Sequence, residues 1–144
     1  MCGCGSETGK TVSMYDLRQT MEKADSGLPE MLNASSSEDD AKKLFENISD
    51  MDYSKVESYF VSYSKEGKAD EIAVIAVRNP ADVDAAKKSL EAHKEDRYQL
   101  LNQYEPEEVK RIEDGIVFSS GQYAVLIICD EKDSVRKAFE DAIK

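Results

Sequence analysis

Val56-Glu57-Ser58-Tyr59-Phe60-Val61-Ser62-Tyr63-Ser64, the turn Lys65-Glu66-Gly67-Lys68, and then Glu71-Ile72-Ala73-Val74-Ile75-Ala76-Val77 form the stretch whose reading decides the fold. β-branched and aromatic side chains crowd both apolar runs, the composition that suits a pleated, packed surface. The polar, glycine-containing turn between them makes the pair an antiparallel hairpin. A second hairpin is expected further on, with one strand over Gly115 to Ser119, a turn at Gly121 and another strand over Gln122 to Cys129.

Between the hairpins, Asn79-Pro80 opens a long helix. Asn caps it, Pro takes the first helical position, and Asp82 and Asp84 sit at the positive end of the dipole. Its inward stripe is Val83, Ala86, Leu90, His93, Arg97, Leu101 and Tyr104, running to Pro106, after which a short helix continues to about Glu113. Asp130 is expected to cap a last helix, whose face carries Val135, Ala138, Phe139, Ala142 and Ile143. The expected class is α+β: a four-stranded antiparallel sheet in β-β-α-β-β-α order over 56–144, with helices packed on it. The last helix is expected to bring Phe139 into contact with Leu126 or to give the two shared neighbours.

The N-terminal part, 13–50, reads as helical. Ser13 caps Met14 to about Ala24, and Gly27 and Pro29 end that helix. Leu28 to Ser36 reads as extended or irregular. Ser37 then caps a second helix with Glu38, Asp39 and Asp40 in its first turn and Ala41, Leu44 and Phe45 facing inward. Residues 13–144 are expected to form a single domain, and 1–12 a flexible tether without apolar periodicity.

The chain has 144 residues, a formal net charge of −11, no Trp and a single histidine, His93. That charge repels phosphate backbones, so nucleic acid is not an expected partner. A Ser-His-Asp triad would have to use His93, and a multi-histidine metal site is impossible; no metal or cofactor is expected. Glu38-Asp39-Asp40 and Glu105 to Glu108 lack the alternating oxygens and central glycine of a calcium loop and read as helix starts. Gly5-Ser6-Glu7-Thr8-Gly9-Lys10-Thr11 imitates a phosphate-binding loop, but three residues rather than four separate its glycines and no strand precedes it.

Met1-Cys2-Gly3-Cys4-Gly5-Ser6 admits two readings. A metal or redox pair would need further ligands, and no Cys or His lies nearby in the sequence to supply them. The alternative is a lipoprotein junction, in which a small residue precedes an acylated cysteine and Gly and Ser follow. Cys4, preceded by Gly3, suits that cleavage; Cys2 does if a small residue precedes it in a precursor carrying a signal peptide. Cys129, at the end of an apolar strand, reads as a buried, inert thiol.

Ala69-Asp70-Glu71-Ile72-Ala73-Val74, Asp82-Val83-Asp84, Tyr104-Glu105-Pro106-Glu107-Glu108 and Gly121-Gln122-Tyr123-Ala124-Val125-Leu126 together resemble a family known as domain of unknown function 4358, found in lipoproteins of Gram-positive gut bacteria. The resemblance covers the chain from about Val56 onward. It implies an extracytoplasmic location and membrane attachment through an N-terminal lipid, and brings no catalytic residues with it.

Two places are candidate surfaces for a ligand, a protein partner or a second copy of the chain. His93 and Arg97, four apart on the long helix, lie side by side. They read either as an anion or carboxylate site near the sheet edge, or as a buried histidine making one hydrogen bond beside a snorkelling arginine. Tyr59, Val61 and Tyr63 share one strand face. Because the second and fourth strands are apolar on both faces, something must cover the side opposite the helices. Either the N-terminal helices do so, or a partner or homodimer contact does. The expected role is a non-catalytic binding or adaptor module. A small-ligand carrier is the alternative, and a hydrolase using Glu71 or Glu107 a further one.

The lipoprotein reading is tested in cells. The precursor is expected to incorporate a palmitate analogue, and substitution of the acylated cysteine is expected to release the protein into the medium. An unlabelled, wholly cytosolic precursor contradicts it.

Overall fold

A computed structural model describes residues 12–144. In chain order the elements are α1 (Met14–Lys23), β1 (Met31–Ser35), α2 (Ala41–Phe45), β2 (Val56–Ser64), β3 (Glu71–Val77), α3 (Val83–Tyr104), α4 (Val109–Glu113), β4 (Ile116–Ser120), β5 (Tyr123–Ile128) and α5 (Lys132–Ala142). The five strands form one antiparallel sheet in the order β1-β2-β3-β5-β4. Both expected hairpins are present. Gly67 (φ 79°) and Gly121 (φ 58°) turn them in the left-handed region, where a side chain would be strained.

Strand β3 is the centre of the fold: every residue from Glu71 to Val77 is buried. Side-chain alternation divides the core into two. Ala73, Ile75 and Val77, with Tyr59 and Val61 of β2 and Ala124, Leu126 and Ile128 of β5, face α2, α3 and α4 through Phe45, Ala86, Leu90, Leu101 and Ile112. Ile72 and Val74, with Phe60, Val125 and Ile127, face α1 and α5 through Leu17, Met21, Val135 and Phe139. Each buried aliphatic or aromatic side chain contributes about 1.5–3 kcal/mol of transfer free energy, so a sheet filled on both sides supplies the dominant stabilising term.

Local caps fix the helix ends. The Ser13 hydroxyl accepts from Asp16 N at 3.0 Å, and Asn79 Oδ1 accepts from Ala81 N at 3.0 Å, with Pro80 at the first position of the 3-10 turn that leads into α3. Across the sheet, Glu22 of α1 accepts from the buried Ser62 hydroxyl of β2. Behind α2, the Ser49 hydroxyl donates to Ser89 Oγ at 2.7 Å, and Ser89 in turn to Ala86 O, which ties the loop after α2 to α3.

Several expectations are corrected. The sheet has five strands, not four, because Met31–Ser35 adds β1 along β2 with Met31 opposite Ser64 and Ser35 opposite Phe60. The helices lie on both faces rather than one. An N-terminal helix, α1, does cover the face opposite α3, but α5 shares that work. Phe139 therefore packs against Phe118 and Tyr123, at 5.7 Å between ring centroids, while Leu126 points to the other face. Ser37 caps nothing: α2 begins only at Ala41, and the Ser37 hydroxyl bonds that of Ser35. Asp130 is not the α5 cap, which is Glu131; it holds Arg111 instead. Tyr104 leaves the inward stripe of α3 and is 72% exposed. Val12, counted with the tether, packs against the α1–α5 core. The rest of the expected tether, with Cys2 and Cys4, lies outside the described residues.

Phe139→Ala is expected to destabilise the protein by about 3–5 kcal/mol in urea melts, since it empties the centre of the α1–α5 layer. A loss below about 1 kcal/mol would mean that α5 does not seat on the sheet as described.

Candidate functional site

The side chain of Glu71 departs most from what its sequence position suggests. It opens an otherwise apolar strand, and its parity places it with Ala73, Ile75 and Val77 beneath α3. Its side chain is only 3% exposed. A buried carboxylate needs charged or hydrogen-bonding partners, and α3 supplies two from one face. His93 Nε2 lies 2.7 Å from Glu71 Oε2, and Arg97 Nε lies 3.1 Å from Glu71 Oε1. Arg97 also donates through Nη2 to the carbonyls of Lys68 and Ala69, at 3.1 and 3.0 Å. The Nε–H of Arg97 is not aimed along its ion pair and has no acceptor among the described residues.

The same turn is held from its other side. Ala69 N donates to Glu108 Oε1 at 2.7 Å, and Glu108, itself buried, accepts from Arg111 at 2.6 Å. Arg111 also reaches Asp130 at 2.9 Å. Its hydrogen bond to Asp130 leads the factors that hold the guanidinium protonated, whereas burial raises the neighbouring Asp70 carboxyl above its ordinary range. The segment from Lys68 to Glu71 is thus clamped between α3 and α4.

Beside the Glu71 cluster lies a partly open cavity of about 280 Å³. Ala34, Leu44, Ile48 and Val61 form its apolar wall; Asn47, Tyr63, Glu71, His93 and Arg97 complete it. Its walls come from β1, β2, β3, α2, α3 and the loop after α2. A second hollow of about 140 Å³ that also touches His93 is lined by Glu46, Asp50, Ser89 and Asp96 among others.

Of the residues singled out in the sequence, His93, Arg97 and Tyr63 meet at the larger cavity. Tyr59 does not. It is fully buried, its hydroxyl donates to Ala41 O at 2.6 Å, and its ring stacks edge-on to Phe45 at 5.1 Å. Burial raises its phenol well above the usual range, and its role is to seat α2. The His93–Arg97 pair stands over the central strand rather than at the sheet edge. The carboxylate it engages is the chain's own. Glu107 lies on an exposed turn next to Glu105, while both Glu71 oxygens face basic side chains. Cys129 is buried, and burial pushes its thiol far up, so no reactive thiolate forms at neutral pH. Among the described residues no group of three or more His, Cys, Asp or Glu side chains is placed to hold a metal, and no helix is long and apolar enough to cross a membrane.

A family model with the description Domain of unknown function (DUF4358) matches residues 30–129, more than half of the chain. Comparison with curated proteins and with solved structures returns no match.

The geometry orders the effects of substitution. Arg97→Met leaves Glu71 charged and underpartnered and is expected to destabilise by about 3 kcal/mol or more. Glu71→Gln, which removes the buried charge and keeps an acceptor, is expected to be milder. His93→Ala loses a hydrogen bond to a charged group, about 1.5–3 kcal/mol, more than an ordinary single bond. Chemical melts of the three variants check the order; an unperturbed Arg97→Met would show that the ion pair does not form.

Proposed function

We propose, from the premise that the chain belongs to the family of DUF4358 domains, that the protein is a non-catalytic, extracytoplasmic binding module, held to the membrane by a lipid on Cys4 or Cys2, and that its binding site is the cavity beside Glu71, His93 and Arg97. The cavity carries this reading. Its volume of about 280 Å³ stands near the lower end of small-ligand sites, which combine apolar walls with a few converging polar groups. Four aliphatic side chains and one charged cluster have that character. The Cys2-Gly3-Cys4-Gly5-Ser6 junction supports the anchor.

Two observations favour a small ligand over an adaptor surface. Both faces of the sheet are covered by helices of the same chain, so among the described residues no broad aromatic sheet face is left for a protein partner. The exposed apolar residues Leu32 and Tyr63 face each other across β1 and β2, and Tyr63 lines the cavity. A non-catalytic role is favoured over a carboxylate hydrolase because Glu71 is engaged by two basic side chains and not by a second carboxylate.

Titration with 1-octanol followed by amide and methyl NMR is expected to shift Ala34, Leu44, Ile48 and Val61 selectively. Ala34→Phe, which fills the cavity from β1, is expected to abolish those shifts while the protein stays folded. Shifts spread over the surface, or unchanged by Ala34→Phe, would overturn the cavity as the site.

A further inference from the structure

The cavity's polar end has unused hydrogen-bond donors on Arg97, and this inference rests on the cavity being the binding site. Arg97 carries five N–H donors. Nη2 is occupied by Lys68 O and Ala69 O, and Nε faces Glu71 Oε1 off-axis. The two N–H groups of Nη1 have no acceptor among the described residues. The Glu71 carboxylate is already engaged by positive or donor groups, Oε2 by His93 and Oε1 by the ion pair with Arg97. The guanidinium therefore has donors to spare for an acceptor on a ligand.

The charges agree. Although the whole chain carries −11, the ionisable groups lining this cavity are, besides the Tyr63 phenol, one carboxylate, one guanidinium and one imidazole. Glu71 and Arg97 cancel, and His93 adds nothing or a positive charge. A ligand cation would meet a carboxylate already paired; a ligand anion would meet free guanidinium donors, and charge-assisted bonds of that kind are the strong ones. The remaining wall is aliphatic, and Leu32 and Tyr63 extend it outward, 42% and 38% exposed. At roughly 30 Å³ for a water's share of liquid volume, the cavity holds about nine water-sized groups, enough for a short chain and its head group.

We propose that the ligand is a small amphiphilic carboxylate, its chain lying along Ala34, Leu44, Ile48 and Val61 and its head group accepting from Arg97. The tail is held by apolar contact and specificity comes from the guanidinium. Tyr63 and Leu32 cover the chain where it leaves the cavity.

The test compares octanoate, 1-octanol and octylamine, all below their aggregation concentrations, by calorimetric or NMR titration of the intact protein. Octanoate is expected to bind about tenfold tighter than octanol, the size of one hydrogen bond to a charged group, and octylamine more weakly than either. Arg97→Gln is expected to reduce octanoate to the octanol level. Because that variant strands Glu71 and can fail to fold, Glu71→Gln is the second variant: it frees Arg97 further and is expected to raise the ratio of octanoate to octanol affinity severalfold. A purely structural role for the cluster gives no such divergence between the two ligands. Octanol binding as well as octanoate, or octylamine binding best, overturns the carboxylate and leaves the cavity reading standing. Binding of none of the three to the folded protein overturns both.

Discussion

Glu71 begins the central strand with a charge that α3 must neutralise. Its carboxylate sits under the helix with almost no water contact, between His93 and Arg97. An unpaired carboxylate there would be costly to desolvate, so α3 is held at one rotation and one height along the sheet: the position at which two basic residues four apart both reach the strand. Arg97 adds two backbone carbonyls of the preceding turn, and Glu108 takes the amide of Ala69 in that turn. The first hairpin, the long helix and α4 are registered on one another through these few atoms. Two of the stretches that carry the family resemblance, Ala69 to Val74 and Tyr104 to Glu108, meet here.

That registration leaves the cavity. Nearer the start of α3, Ala86 and Leu90 pack directly on the sheet, and Ser89 pins the loop after α2. Near His93 and Arg97 the side chains turn to Glu71 instead of filling the space above β1 and β2. Ala34, a small residue on the edge strand, and Val61 beside it leave that space open. The polar cluster that fixes the helix and the room for a ligand thus arise together.

Much of the fold was legible in the sequence because its information is local. Both hairpins, the Asn79-Pro80 start and the length of α3 follow from propensity, capping and turn chemistry within a few residues. Strand β1 was legible only as an extended or irregular stretch, not as a strand of the sheet. Met31-Leu32-Asn33-Ala34-Ser35 buries only Ala34, lies on a sheet edge, and exists through pairing with β2 some thirty residues on. The side on which α5 packs was hidden because β5 is apolar on both faces, so its alternation favours neither. In the site, the adjacency of His93 and Arg97 could be read from helical spacing. Tyr59 and Tyr63 could not be told apart, since alternation puts both on one face and only the position of α2 decides which is buried. Glu71 as the partner of His93 was missed, although a signal existed: strand parity aligns it with Ala73, Ile75 and Val77, toward the apolar side of the helix that carries His93.

His93 is the chain's single histidine, so its imidazole gives one unambiguous set of NMR signals. Long-range nitrogen–proton correlation of that ring is the most direct measurement of the cluster on which the account depends. The account predicts a protonated Nε2 whose hydrogen exchanges slowly with water and shows cross-relaxation to Glu71 of β3, and that Glu71→Gln shifts this signal. An imidazole whose Nε2–H exchanges freely with solvent and does not respond to Glu71→Gln would contradict it.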